Sequence, residues 1–209
     1  MPASRPYIIG LTGGIGCGKS EAAAYLASLG AVHIDADELS HELTAPNGEA
    51  LPAIREIFGD GVFFEDGRLD RVALGNIVFT SEPHRRALEG IIHPLVQKNT
   101  LKLIDEAGAR GDRVVVLNVP LLYETGMDVL CDETWTVCAD PETQLERVMA
   151  RGFTEEEARA RISSQMSPEE RQARSQRVIR TDRSIEKTRA ELGQLYAQAV
   201  RKAEVKNEE

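Results

Sequence analysis

The chain has 209 residues, 42% hydrophobic and 28% charged, with a net charge of −9. That length and balance suit one ordinary globular domain with room for an insertion, and exclude a disordered chain. The acidic surplus argues against a nucleic-acid partner, whose phosphates need basic neutralisers. No apolar run reaches the ~20 residues of a membrane span, and the first residues lack the apolar core of a signal peptide, so no membrane partner is expected. Cys17, Cys131 and Cys138 form no CxxC pair, which fits reduced thiols in a cytoplasmic setting.

In chain order, residues 7–12 are an apolar run ending at glycines and read as a buried strand. Residues 19–29 carry apolar side chains at helical spacing, with Gly30 as the stop. Residues 31–35 are a second strand. Between residues 37 and 111 the texture becomes helical, broken at 46–48, 59–61 and 66–67 by turn-forming residues. Residues 87–107 predict one long helix, bent at Pro94 because proline removes a ladder bond. Residues 114–119 are uniformly apolar, as central parallel strands are. Residues 134–138 form another strand, and Asp140-Pro141 then opens a helix as cap and first turn. Residues 184–205 read as a closing helix. The alternation predicts an α/β fold with a parallel sheet wrapped by helices and a helical insertion.

Charge is uneven. Residues 147–183 hold nine Arg, no Lys and six acids. An arginine-only stretch suits anion handling, since the guanidinium grips phosphate in a fork. It equally suits a solvated helix with Glu155–Arg159 and Glu157–Arg161 pairs, which charge alone favours.

The strongest motif is Gly13-Gly14-Ile15-Gly16-Cys17-Gly18-Lys19-Ser20. It matches GxxxxGK[ST] and lies between a predicted strand and a predicted helix, as a phosphate loop requires. Its glycines let successive N–H groups face phosphate oxygens, and the helix end adds positive charge. Lys19 reaches the β- and γ-phosphates of a bound nucleotide, and Ser20 is placed to ligate Mg²⁺. Gly14, Ile15, Gly16, Cys17, Gly18 and Glu21 complete the nucleotide-binding set. The Glu21 side chain points away while its N–H contributes. The Cys17 thiol could have its pKa lowered by the helix end; the simpler reading is a small filler directed outward.

Asp35 and Asp37 end the second strand, where ligands of parallel sheets gather. One of them caps the next helix; Asp37 is favoured for chemistry. Asn118 ends the third strand where phosphate-loop enzymes often carry an Asp. No NKxD motif reads guanine, and the histidines show no zinc spacing. A chain this small with an insertion and an arginine-rich stretch fits a small-molecule kinase, which needs an acceptor pocket and a water-excluding lid.

The order of these motifs resembles the dephospho-CoA kinase family over nearly the whole chain. The matching residues are 11–20, Ile34-Asp35-Ala36-Asp37, Gly67-Arg68-Leu69-Asp70-Arg71 and His93-Pro94-Leu95. Val119-Pro120-Leu121-Leu122-Tyr123-Glu124, Arg147, Arg161, Gln165 and Val178-Ile179 continue the match. The resemblance implies a phosphate-loop NTPase-type core of residues 1–37, 110–150 and 173–209. It implies an acceptor domain of residues 38–109 and a small helical lid of residues 151–172. The implied reaction moves the ATP γ-phosphate to the ribose 3′-hydroxyl of dephospho-CoA. Lys19, Asp37 and Arg147 are then catalytic, Asp37 as base and Arg147 against the transferred phosphoryl. Asp37, His93, Leu122 and Glu124 serve the acceptor. Another kinase on the same core, or a nucleotide-binding protein without catalysis, is the alternative. The sequence departs from the family pattern at Glu21, usually Thr, at Asn118, commonly Asp, and in residues 176–183, expected beside the adenine.

Overall fold

The computed structural model describes residues 5–206. Strands β1 (Tyr7–Gly13), β2 (Val32–Asp35), β3 (Val114–Asn118), β4 (Glu133–Cys138) and β5 (Arg177–Arg180) form one parallel sheet in the order β2-β3-β1-β4-β5. Helices α1 (Lys19–Ser28), α6 (Pro141–Met149), α7 (Glu155–Ser163), α8 (Pro168–Arg174) and α9 (Ile185–Lys206) accompany the sheet. Helices α2 (Ala36–Leu43), α3 (Leu51–Phe58) and α4 (Arg71–Thr80) lie in the insertion, and α5 (Glu82–Arg110) returns from it.

The sheet core follows from the apolar strands. Every residue of β1, β3 and β4 is buried, as strands flanked on both sides and covered on both faces must be. Ile9, Leu11, Val116, Trp135, Val137 and Ile179 pack with Leu26 of α1 and Leu192 of α9. β1 is central, paired with β3 on one side and β4 on the other. Its last residue must be glycine on steric grounds, because a Cβ on Gly13 would stand 2.6 Å from the Val137 carbonyl oxygen.

The described residues fall into two compact units: residues 5–34 with 104–206, and residues 35–103. Within the helical unit the breaks coincide with the expected turn residues: Asn47 (φ 67°), Gly59 (φ 74°) and Gly67 (φ 82°) adopt left-handed backbone. Asp35 caps α2 by accepting from Asp37 N (2.8 Å) and Glu38 N (3.3 Å). Asp70 caps α4 through Val72 N and Ala73 N. α5 differs from the expected 87–107. It starts five residues earlier, runs 29 residues and continues through Pro94. Gly90, four residues before Pro94, presents no side chain and has open space around its Cβ position. Ile104 and Ala107 near its end are buried. Among the described residues no helix is long and apolar enough to cross a membrane.

A charged cluster anchors α9 to the sheet. Glu133 is 5% exposed; its carboxylate accepts from Arg177 Nε (2.7 Å), Lys202 Nζ (2.8 Å) and Tyr7 Oη (3.0 Å). Burial alone would raise its pKa, but these donors outweigh burial and hold it below the ordinary 4.5. A depressed native pKa contributes stability above the unfolded value, and that stability is lost as pH falls through the native one. Glu133→Gln should therefore lower Tm at pH 7 by several degrees, the equivalent of about 1–3 kcal/mol. The gap to wild type should shrink below about pH 4.5. Scanning calorimetry between pH 7 and 3 checks this; a gap independent of pH would contradict it.

Candidate active site

Where β1 ends, the chain turns through residues 14–18 into α1. Gly16 (φ 79°) and Gly18 (φ 83°) take the left-handed backbone this turn requires. Gly18 precedes α1 and offers no side-chain cap, so the first N–H groups of the helix keep their capacity for an anion. The turn is closed by Cys17 N to Gly14 O (3.1 Å) and Ala22 N to Gly18 O (3.1 Å).

Side chains from distant segments then hold the loop. Both backbone polar groups of Ile15 are gripped by glutamines. Ile15 N donates to Gln165 Oε1 (2.9 Å), and Gln144 Nε2 donates to Ile15 O (2.7 Å). Gly14 makes room for them. A Cβ there would meet Gln144 Nε2 at 3.0 Å and Arg171 Nη1 and Gln165 Oε1 at 3.3 Å each. Lys19 Nζ donates to Asn118 Oδ1 at 2.6 Å. The sheet order makes that bond possible, because β3 lies beside β1 and Asn118 pairs with Leu11. Asn118 thus aims the lysine with an amide dipole instead of a second charge.

Ser20 is exposed on the first turn of α1. The Glu21 carboxylate accepts from Arg189 Nη2 of α9 at 2.6 Å. Cys17 is buried, not turned outward. Burial raises its thiol pKa against the opposing influence of the Ala139 N–H and the Arg171 and Arg147 charges. It is therefore a loop filler and not a low-pKa nucleophile, correcting the activated-thiol alternative.

Arg147 is fixed by three hydrogen bonds: Nη1 to Thr181 Oγ1 (2.8 Å) and Gly16 O (3.4 Å), Nη2 to Thr181 O (2.7 Å). Thr181 Oγ1 in turn donates to Cys17 O (2.8 Å). Gly18, Tyr25, Arg147, Thr181, Thr188 and Leu192 line a cavity of about 260 Å³ behind the loop. Arg183 and Arg189 line it as well, and apolar walls edged by guanidinium groups suit a flat heterocycle. Arg147 thus lines this cavity and also reaches the phosphate loop itself through Gly16 O.

After β3, residues 120–126 form successive turns. Leu122 is 0% exposed and would meet a Cβ on Gly10 at 3.0 Å. It packs the core, which corrects its assignment to the acceptor. Glu124, two residues on, is exposed. In the helical unit, Asp37 is exposed on the first turn of α2 and His93 is exposed on α5. The capping duty at the end of β2 falls to Asp35.

The arginine-rich segment has two characters. Gly152 (φ 94°) and a Thr154–Glu157 capping box precede the exposed α7. Arg159 pairs with Glu155 (2.7 Å) as expected. The expected Glu157–Arg161 pair is replaced, since Glu157 bonds Thr154 and Arg161 lies over the Phe153 ring at 4.2 Å. From Gln165 to Arg171 the chain instead meets the phosphate loop. Gln144 and Arg171 escaped the sequence reading; both act across folds of the chain that no local pattern encodes.

Comparison with known proteins agrees with this geometry. The dephospho-CoA kinase family model matches residues 7–187. A dephospho-CoA kinase of Symbiobacterium thermophilum is 47% identical over 186 residues, 88% of this chain and 78% of that one. The Streptomyces avermitilis dephospho-CoA kinase is 44% identical over 196 residues, 93% of this chain and 95% of the relative. Among solved structures, TT1252 from Thermus thermophilus aligns with a TM-score of 0.79 at 35% identity, covering 93% and 98% of the two chains. The Campylobacter jejuni dephospho-CoA kinase aligns with a TM-score of 0.72 at 25% identity, covering 93% and 97%.

Proposed function

From the premise that this chain belongs to the dephospho-CoA kinase family, we propose how its residues divide the work of that reaction. The enzyme uses ATP to phosphorylate the ribose 3′-hydroxyl of dephospho-CoA, giving coenzyme A. The O3′ atom bonds to the γ-phosphorus, the bond from that phosphorus to the β,γ-bridging oxygen breaks, and ADP leaves.

Lys19 neutralises charge on the β- and γ-phosphates as it shifts toward the leaving group, and Asn118 sets its direction. The loop N–H groups cradle the phosphate chain. Arg147 and Thr181 form the base-side wall and lock the loop to it. Asp37 orients the acceptor hydroxyl and takes its proton. His93 and Glu124 are assigned to the acceptor side.

Mg²⁺ fits the donor set in a limited way. Among the described residues no group of three or more His, Cys, Asp or Glu could cage a metal. A phosphate-bound Mg²⁺ that keeps its waters needs only one or two protein ligands, and the Ser20 hydroxyl supplies one. Such an ion spreads the charge of the phosphate oxygens. We place the enzyme in the cytoplasm, where its three free thiols persist.

The observation that carries this division is Lys19 held on Asn118 at the mouth of a loop gripped by Gln144 and Gln165. A coupled assay of ADP release, with ATP, Mg²⁺ and a panel of acceptors, tests it. Release should depend on dephospho-CoA; release only with another acceptor would overturn it.

We place the moving part of the lid at residues 152–164, between the Gly152 turn and the Gln165 anchor on Ile15. Hydrogen exchange should show this stretch more protected when a non-hydrolysable ATP analogue binds. Equal protection with and without the analogue would contradict a closing lid.

A further inference from the structure

Arg171 stands apart from the other arginines around it. Arg174 faces Asp128, Arg177 pairs with Glu133, Arg180 with Asp182 and Arg183 with Glu191. Each of these has a carboxylate. Arg171 is 4% exposed and pairs with none among the described residues. Its acidic neighbours on α8, Glu169 and Glu170, are exposed. One guanidinium nitrogen, Nη2, donates to the Met166 carbonyl (3.0 Å). Nε is buried with no hydrogen-bond partner among the described residues.

A buried cation without a counter-charge is costly, and proteins ordinarily pair it. Here the uncompensated charge sits at one place, with Nη1 3.3 Å from where a Cβ of Gly14 would stand. The glycine brings the guanidinium against the backbone of a loop built to receive phosphate. Segment 165–171 reaches this point as a unit, since Gln165 bonds Ile15 N and the Arg171 carbonyl accepts from Ser175 Oγ (2.9 Å).

We propose that Arg171 is a second phosphate-binding cation of the ATP site, left unpaired by the protein so that the nucleotide's phosphates supply its counter-charge. This rests on the reading of residues 13–20 as the ATP phosphate site. Lys19 then holds the phosphate chain from the α1 side and Arg171 from the Gly14 side. The same charge that strengthens binding weakens the nucleotide-free fold.

That opposition sets the test. Arg171→Met removes the charge and keeps an apolar stem, and Arg171→Lys keeps the charge. Thermal unfolding is measured for both and for wild type, alone and with ATP and no acceptor, and ATP affinity by calorimetry. Arg171→Met alone should melt no lower than wild type, yet bind ATP about 10- to 100-fold more weakly. Its ATP-induced rise in Tm should shrink accordingly. Arg171→Lys should retain more of that rise. A merely structural arginine gives the reverse: Arg171→Met melts well below wild type or fails to fold, with the ATP response intact where it folds. Either result, or equal loss in Lys and Met variants, would overturn the proposal. A wild-type protein whose Tm ignores ATP would instead refute the reading of the loop itself.

Discussion

Lys19→Ala should remove nearly all turnover while the protein stays folded. Lys19 opens α1 directly after the loop, and its ammonium is steered by Asn118 Oδ1 at 2.6 Å. In phosphoryl transfer, charge moves from the γ-phosphoryl to the β-phosphate oxygens, and a fixed cation stabilises the transition state more than the ground state. Loss of one preorganised donor of this kind costs about 10²–10³-fold in kcat, roughly 3–4 kcal/mol. The fold loses less. Asn118 is 2% exposed and gives up one donor to its amide oxygen, a cost of about 1–3 kcal/mol and a few degrees in Tm. Steady-state kinetics with circular dichroism decides the matter. A folded Lys19→Ala protein with more than about a tenth of wild-type kcat would contradict the role given to the lysine.

Asp37→Asn should leave the nucleotide site working and disable the acceptor. The two acids that end β2 are separated by the structure. Asp35 accepts from Asp37 N and Glu38 N as the cap of α2, whereas Asp37 is exposed one residue into the helix. A secondary hydroxyl needs aiming and needs somewhere for its proton to go. Phosphoryl transfer involves little bond formation to the nucleophile, so aiming carries much of the effect. The substitution keeps size and removes charge. We expect kcat to fall by roughly 10²–10⁴-fold, the range for a general base, with ATP affinity changed only a few-fold. Asp35→Ala should behave differently, losing about 1 kcal/mol of stability through the missing cap. Calorimetric titration of Mg·ATP into Asp37→Asn discriminates the roles. A large loss of affinity would make Asp37 an organiser of the metal and not the base.

The parts of the fold written in short-range pattern were legible in the sequence. Apolar runs marked β1 and β3, the short Thr-Trp-Thr-Val-Cys run marked β4, and the Asp140-Pro141 start of α6 carries its cap as expected, with Asp140 accepting from Thr143 N. The loop was legible because its glycines answer to local backbone geometry. The side chains that clamp it were not. Gln165 reaches Ile15 across 150 residues and Gln144 across 129, and only the sheet order and the docking of α6 and α8 bring them there. Arg171 was hidden for the same reason, in a seven-residue helix too short for a periodic buried face. Leu122 was misread because its place in a motif does not say which way the side chain faces. Gly10 leaves the space beneath it, and the leucine fills that space. The start of α5 was missed because Pro83 falls in its first turn, where proline is tolerated, and Pro94 does not break it.

The phosphate loop should deliver the γ-phosphate of ATP to the 3′-oxygen of dephospho-CoA and to no other atom. Phosphorus NMR of the wild-type reaction with ATP, Mg²⁺ and dephospho-CoA tests it directly. One new phosphomonoester signal is expected, coupled to the ribose 3′-proton and growing in step with ADP. Inorganic phosphate as the main product, or a phosphoester on another oxygen, would contradict it.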